Sequence, residues 1–325
     1  MALIKRFAVA SKLRFMAWRN LYLAISAALV AASIAVFAVQ GLNFGIDFRG
    51  GILLEVKTDG PADIGEMRQL LGDLNLGEVT LQEFGGADDV LINLQRQEGE
   101  EAEQIQAIQV VKDALGERVV EYRRTEFVGP KVGGELKQAG AIATVLALLV
   151  IAVYIWFRFE WQFSVAALIA LLHDVIATVG FYAVTQIEFN LATLAAVLMI
   201  AGYSINDTVV IFDRVRENLR KYKKMPLFEL LDLSINQTLS RTILTSVTTL
   251  LALIALFIFG GPVIRGFTTG LIWGVCIGTY SSVGLAVPLL ARLNIRGQTA
   301  SGEAASDEAD APADKPGDQK PAEAN

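Results

Sequence analysis

Ala201-Gly-Tyr-Ser-Ile-Asn-Asp207-Thr-Val-Val-Ile-Phe-Asp213-Arg-Val-Arg-Glu-Asn218 decides how this chain is read. It begins inside an apolar run that opens near Leu191. Asp207 therefore falls where lipid or packed helices are expected rather than water. A carboxylate at that depth costs about 3 kcal/mol on insertion scales, and an ionisable group inside a membrane marks a candidate functional site. The next apolar run opens with Arg241, a candidate counter-charge.

Composition outside this stretch points the same way. Of the 325 residues, 53% are hydrophobic, and the mean hydropathy is +0.46. Several runs approach the ~20 apolar residues that span a bilayer. The net charge of −6 gives no nucleic-acid signature. One cysteine, Cys276, leaves neither a disulfide framework nor a Cys/His zinc pattern. His173 is the only histidine, so a triad built on another is excluded, and no Gly-Lys-Ser/Thr phosphate loop occurs. No cofactor is expected, and nothing supports an enzyme.

The fold class expected is an α-helical membrane protein of six spans with a small α+β domain between the first two. Residues 1–20 carry Lys5, Arg6, Lys12, Arg14 and Arg19 and no acid. The span that follows, Leu21–Val39 (residues 21–40 as a helix), exceeds the ~7–15-residue apolar core of a signal peptide, so a retained anchor is expected. Five further spans, Ala139–Phe157, Phe163–Tyr182, Leu191–Phe212, Thr242–Phe259 and Phe267–Leu290, make a bundle over 139–291. Trp156 and Phe157 beside the Arg158 turn suit headgroup depth. Arg158, the link holding Arg214, Arg216, Arg220, Lys221, Lys223 and Lys224, and Arg292 with Arg296 all fall on the side of the basic N-terminus. The positive-inside rule makes that side, with both termini, cytoplasmic. Residues 292–325 are acidic, lack apolar periodicity and are expected to be disordered.

Residues 41–138 read as β-α-β-β-α-β, the split β-α-β or ferredoxin-like order, in an extracytoplasmic domain. The predicted elements are a strand over Ile46–Val56, a helix over Ala62–Leu74, two strands joined by a Gly85-Gly86-Ala87-Asp88 turn, a helix over Ala102–Leu115 and a strand over Val119–Val128. Ile105, Ile108, Val111 and Leu115 are expected on one side of the second helix. The acids of the domain read as solvated.

Asp207 lies about 7–8 Å inside the end of its span. Tyr203 and Ser204, at i−4 and i−3, share its face and can hydrogen-bond it, with Asn206 as further polar support. Thr238, Thr242, Thr245, Ser246 and Thr249 form a hydroxyl stripe along the span that Arg241 opens. Three readings stay open: a fixed buried ion pair, a proton-titrating site, or a substrate-binding polar patch. His173-Asp174, deeper in the third span, is either a relay or a pair satisfied by nearby hydroxyls, and its depth argues against direct contact with Asp207. Gly266, Gly270, Gly274 and Gly278 share one face, continued by Ser282. They predict close packing against another helix, of this chain or a partner.

Four blocks in this order resemble the SecF members of the SecD/SecF family, within the RND superfamily. They are Asn43-Phe-Gly-Ile-Asp47-Phe-Arg-Gly-Gly51, Leu172-His-Asp-Val175, Gly202 through Asn218, and Arg241-Thr-Ile-Leu-Thr-Ser-Val-Thr-Thr249. The resemblance covers the chain from Met1 to about Arg296. It implies a subunit of the bacterial inner-membrane Sec export machinery. With SecD, such a subunit uses the proton motive force to draw an unfolded exported chain from the SecYEG channel after SecA has pushed it. Protons would be the coupling ion. The resemblance gives Asp207 and Arg241 the proton-transport role and leaves a further essential acid to SecD. The glycine-rich first block reads as a joint, since glycines permit a sharp exit and close backbone approach. The rival readings are an RND-type small-molecule or lipid exporter and a non-transporting translocon scaffold.

Overall fold

A backbone in hydrocarbon must satisfy its own hydrogen bonds, so long apolar runs become helices. The computed structural model describes residues 13–295 apart from 78, 85, 96, 98–100, 262 and 294. A 3-10 turn, Phe15–Trp18, leads into α1 (Arg19–Gln40), and a one-turn α2 (Ile46–Arg49) follows. The α+β domain comprises β1 (Gly51–Thr58), α3 (Ile64–Gly72), β2 (Val79–Phe84), β3 (Gly86–Leu94), α4 (Glu101–Leu115) and β4 (Val119–Val128). Then come α5 (Pro130–Arg158), α6 (Trp161–Thr185), α7 (Leu191–Lys221), α8 (Leu227–Phe259) and α9 (Arg265–Ser281). A π turn, Ser282–Ala286, joins α9 to α10 (Val287–Arg292).

Six helical stretches among the described residues are long and apolar enough to cross a membrane, which makes this an α-helical membrane protein. Their burial is unequal. The apolar windows of α6 and of α9–α10 are 61% buried, those of α1, α5 and α8 only 11%. The third, fourth and sixth spans therefore form the centre, and the first, second and fifth present apolar faces outward.

The four strands form one antiparallel sheet in the order β2-β3-β1-β4. One face, with Ile52, Leu54, Val56, Val90 and Ile92, buries Met67 and Leu71 of α3 and Ala107, Val111 and Leu115 of α4. Asp63 caps α3 by accepting from Glu66 N at 2.9 Å. The opposite face puts Leu53 and Leu91 against Ile46.

The domain is tied to the bundle by backbone. Gly45 N donates to Phe189 O (3.0 Å) and Phe189 N to Asn43 O (2.7 Å). Asn43 Nδ2 donates to Gln186 O, and Leu191 N to Asp47 Oδ2. The rings of Phe44, Phe48, Phe189 and Tyr182 close around this joint. Gly50 and Gly51 carry φ of 72° and 134°, values that favour glycine. A Cβ on Gly133 would come within 3.0 Å of Gly50 N, so the start of α5 also presses on the joint.

Several expectations are corrected. Ile46–Arg49 is a helical turn, not strand, because Asp47 is fixed by Leu191 N and Phe48 by the ring cluster. Gly86, Ala87 and Asp88 lie in β3 rather than in a turn; residue 85 is outside the described residues. On α4 Ile105 is 59% exposed, and Gln104 takes the inner position, bonded to the backbone of Gln97. The second span begins at Pro130. The fifth begins at Leu227, fifteen residues ahead of the expected Thr242, because Leu230, Leu231, Ser234, Ile235 and Thr238 bury one helical face. Its early turns hold the chain ahead of α1: Asp232 accepts from Met16 N, and Asn236 pairs with the backbone of Leu13. In the sixth span Pro288 offers no N–H to Gly284 O, which accounts for the π turn there. Ile295, expected in the tail, is buried against the bundle. The basic residues Lys5, Arg6 and Lys12, with the tail from Arg296 on, lie outside the described residues.

Candidate functional site

The site is built on α7, whose first turn is fixed by a capping box between Asn190 and Thr193. The four glycines of α9 lie against this chain's own helices. A Cβ on Gly266 would meet Ile187, on Gly270 the Tyr182 hydroxyl, on Gly274 Ile200 and on Gly278 Ser204. Close approach of α9 to α6 and α7 brings polar side chains of three helices together in the bundle centre.

Asp174 occupies that meeting point with no solvent exposure. His173 Nδ1 lies 2.8 Å from its Oδ1. Ser281 Oγ donates to Oδ2 at 2.6 Å, and Ser204 Oγ donates to the same oxygen. His173 Nε2 is buried without a protein partner. The Tyr280 ring stands 6.4 Å from the imidazole and donates its hydroxyl to Tyr22 O, which brings α1 to the cluster. Sequence singled out Ser282 as the continuation of the glycine stripe. The residue that reaches Asp174 is Ser281, three places past Gly278, and i+3 spacing was the available signal.

Asp207, three residues beyond Ser204, is 3% exposed. Its Oδ2 is buried with no hydrogen-bond partner, as are Tyr203 OH and Thr242 Oγ1. Ser204, expected beside Asp207, instead serves Asp174. Asn206 is exposed.

Arg241 forms no salt bridge among the described residues. It is exposed in the middle of the 33-residue α8 rather than opening a span. The fixed ion pair weighed from sequence is thus not formed. The hydroxyl stripe divides: Thr238, Thr242 and Ser246 are buried, whereas Thr245 and Thr249 are half-exposed. Ser246 Oγ meets Thr279 Oγ1 at 2.7 Å, while Thr245 and Thr249 bond back to their own helix. Asp213 lies at the end of the apolar stretch and pairs with Arg158 at 2.8 Å.

A carboxylate oxygen buried in an apolar helix with no hydrogen-bond partner marks Asp207 as a candidate functional group. Known proteins bear on the same residues. The family description "Protein export membrane protein SecD/SecF, C-terminal" matches residues 108–296, and the "SecD/SecF GG Motif" matches residues 35–62, which include the joint. The SecF protein translocase subunit of Rickettsia felis is 48% identical over 281 residues, covering 85% of this chain and 90% of that one. The SecF of Vibrio alginolyticus is 44% identical over 284 residues, covering 87% and 90%. Among solved structures, a Thermus SecDF described as a translocon-associated membrane protein superimposes with a TM-score of 0.80 at 33% identity. That match covers 88% of this chain and 39% of the other. SecDF in its super-membrane-facing form gives a TM-score of 0.65 at 32% identity, over 92% of this chain and 40% of that one. The chain thus spans about two-fifths of those SecDF chains but nearly the whole of the curated relatives. With family matches that run through both the joint and the helices carrying Asp174 and Asp207, the chain belongs to the SecF family of Sec protein-export subunits.

Proposed function

We propose that this chain pairs with SecD and uses the proton motive force to complete the translocation of unfolded exported polypeptides delivered by SecYEG and SecA. The observation that carries the reading is the buried Asp207, whose Oδ2 has no protein partner. It binds a proton in one state of the bundle and releases it in another. Arg241, which forms no salt bridge among the described residues, moves towards Asp207 when the carboxylate is charged, since an adjacent cation favours the ionised form and desolvation disfavours it. The driving force is about 2.3 kcal/mol per charge per 100 mV, plus the pH difference.

The α+β domain is taken as an extracytoplasmic ferredoxin-like module, supported by its antiparallel order β2-β3-β1-β4. Both termini are taken as cytoplasmic. The outward apolar faces of α1, α5 and α8 leave room for SecD helices, consistent with neighbours whose single chain is more than twice as long. The chain acts as a coupling subunit rather than as an enzyme, with protons and no other cofactor. The test is late-stage translocation into vesicles carrying a membrane potential but no ATP. Asp207→Asn is expected to abolish the potential-driven stage, and Arg241→Leu to abolish the accompanying proton flux. Wild-type export and proton flux in both variants would overturn the proposal.

A further inference from the structure

The end of α5 and the last turns of α7 border an open cavity of about 520 Å³ lined by Arg158, Asp213, Arg216, Glu217, Arg220 and Lys221. Both of its carboxylates are engaged: Asp213 by Arg158 at 2.8 Å, and Glu217 by Arg214 at 2.7 Å. Arg216, Arg220 and Lys221 form no salt bridge among the described residues. The Arg216 guanidinium is held 5.7 Å over the Phe159 ring, and its Nε is buried with no hydrogen-bond acceptor.

The place of the cavity is equally specific. Arg158 ends α5 and Trp161 begins α6, while the apolar stretch of α7 closes at Phe212. Trp156, Phe157 and Trp161 beside it are 57%, 85% and 47% exposed. Exposed aromatics of this kind mark headgroup level, with hydrocarbon on one side and water on the other. Three cations without a salt bridge, with exposed aromatics on the adjoining turns of α5 and α6, together match a ligand with an anionic head and acyl chains. We propose that this cavity is an anionic-phospholipid site, with the phosphodiester taken by Arg216, Arg220 and Lys221 and the chains lying along the exposed aromatic side of α5 and α6. The inference stands whether or not the chain conducts protons.

The full chain in nanodiscs of phosphatidylcholine doped with phosphatidylglycerol tests this, with retained lipid counted by native mass spectrometry. Arg216→Gln and Arg220→Gln are each expected to weaken retention about fivefold, the effect of one cation at a headgroup. Lys224→Gln removes the same charge from the neighbouring loop outside the cavity and is expected to change retention less than about twofold. Should Arg216→Gln disturb packing on Phe159, seen as a lowered melting temperature, the exposed Arg220 decides alone. Equal losses in all three variants would reduce the site to diffuse electrostatics and overturn it. Displacement by excess inorganic phosphate would assign the cavity to a free anion. Retention that appears only when residues 296–325 are removed would assign it to the acidic tail.

Discussion

Asp174 and Asp207 are buried in one bundle, and the structure treats them oppositely. Asp174 receives bonds from His173, Ser204 and Ser281, three side chains on three different helices. Asp207 lies three residues beyond Ser204 on the same helix and keeps an oxygen with no partner. A buried carboxylate whose oxygens are bonded holds its donors in register and resists change. An unsatisfied one raises the energy of the state it sits in and lowers that of any state that brings a cation or a proton to it. The first is suited to fixing α6, α7 and α9 together, the second to responding when α8 shifts.

The largest expected effect comes from removing the satisfied group. Asp174→Ala strands the Ser204 hydroxyl and the His173 imidazole in the bundle centre, leaving Ser281 only its bond to Gly278 O, and should cost about 3–5 kcal/mol of unfolding free energy in mixed micelles. Asp207→Ala removes a group that already lacks a partner and should change stability by less than about 1 kcal/mol. Equal losses at the two positions would break the contrast.

A smaller effect tests how α9 is placed so that Ser281 can reach Asp174. A Cβ on Gly270 would run into the hydroxyl and ring of Tyr182, which is itself bonded to Gly266 O at 3.2 Å. Gly270→Ala should therefore cost about 1–3 kcal/mol through overpacking. A Cβ on Gly202 would meet nothing within 4 Å, so Gly202→Ala in the same assay should be neutral or slightly stabilising.

What could be read in advance follows from the range of each interaction. The apolar runs of the six spans show in hydropathy because each must match the bilayer by itself. The start of α8 did not, since residues 227–241 are mixed in polarity. Their helix is written in the three-to-four spacing of Leu230, Leu231, Ser234, Ile235 and Thr238 rather than in mean apolarity. Asp207 stood out as a charge in a hydrophobic run. That Ser204 turns to Asp174 instead depends on how α7 is rotated against α6 and α9, which no single helix records. The glycine stripe was plain, but its partner helix was not. The helical turn at Ile46–Arg49 is decided by Leu191, Phe189 and Tyr182, more than a hundred residues away in sequence.

A third carboxylate, half-buried, lies between the two extremes and gives the finest test. Glu188, in the link between α6 and α7, sits against Gly45 of the joint, where a Cβ would collide with its carboxylate. Burial, and then the neighbouring Asp47, push its pKa above the ordinary 4.5; Arg124 opposes this and Glu126 adds to it. Glu188 lines a cavity between the domain and the bundle that Glu83 and Arg265 also line. With the folded value raised, the folded state holds a proton that the unfolded state has lost across the window above 4.5. Stability from this group is therefore fully present below that window and declines as pH rises through the folded pKa. The readout is hydrogen exchange at the amides of Gly45 and Phe189, whose bonds join the domain to the bundle. Wild-type protection, corrected for intrinsic exchange, should fall over a range of pH that lies above the ordinary 4.5. Glu188→Gln, fixed in the neutral form, should hold its protection across that range. A wild-type profile as flat as that of Glu188→Gln would mean that Glu188 is settled by its surroundings as fully as Asp174, and that only Asp207 among the three is poised to change.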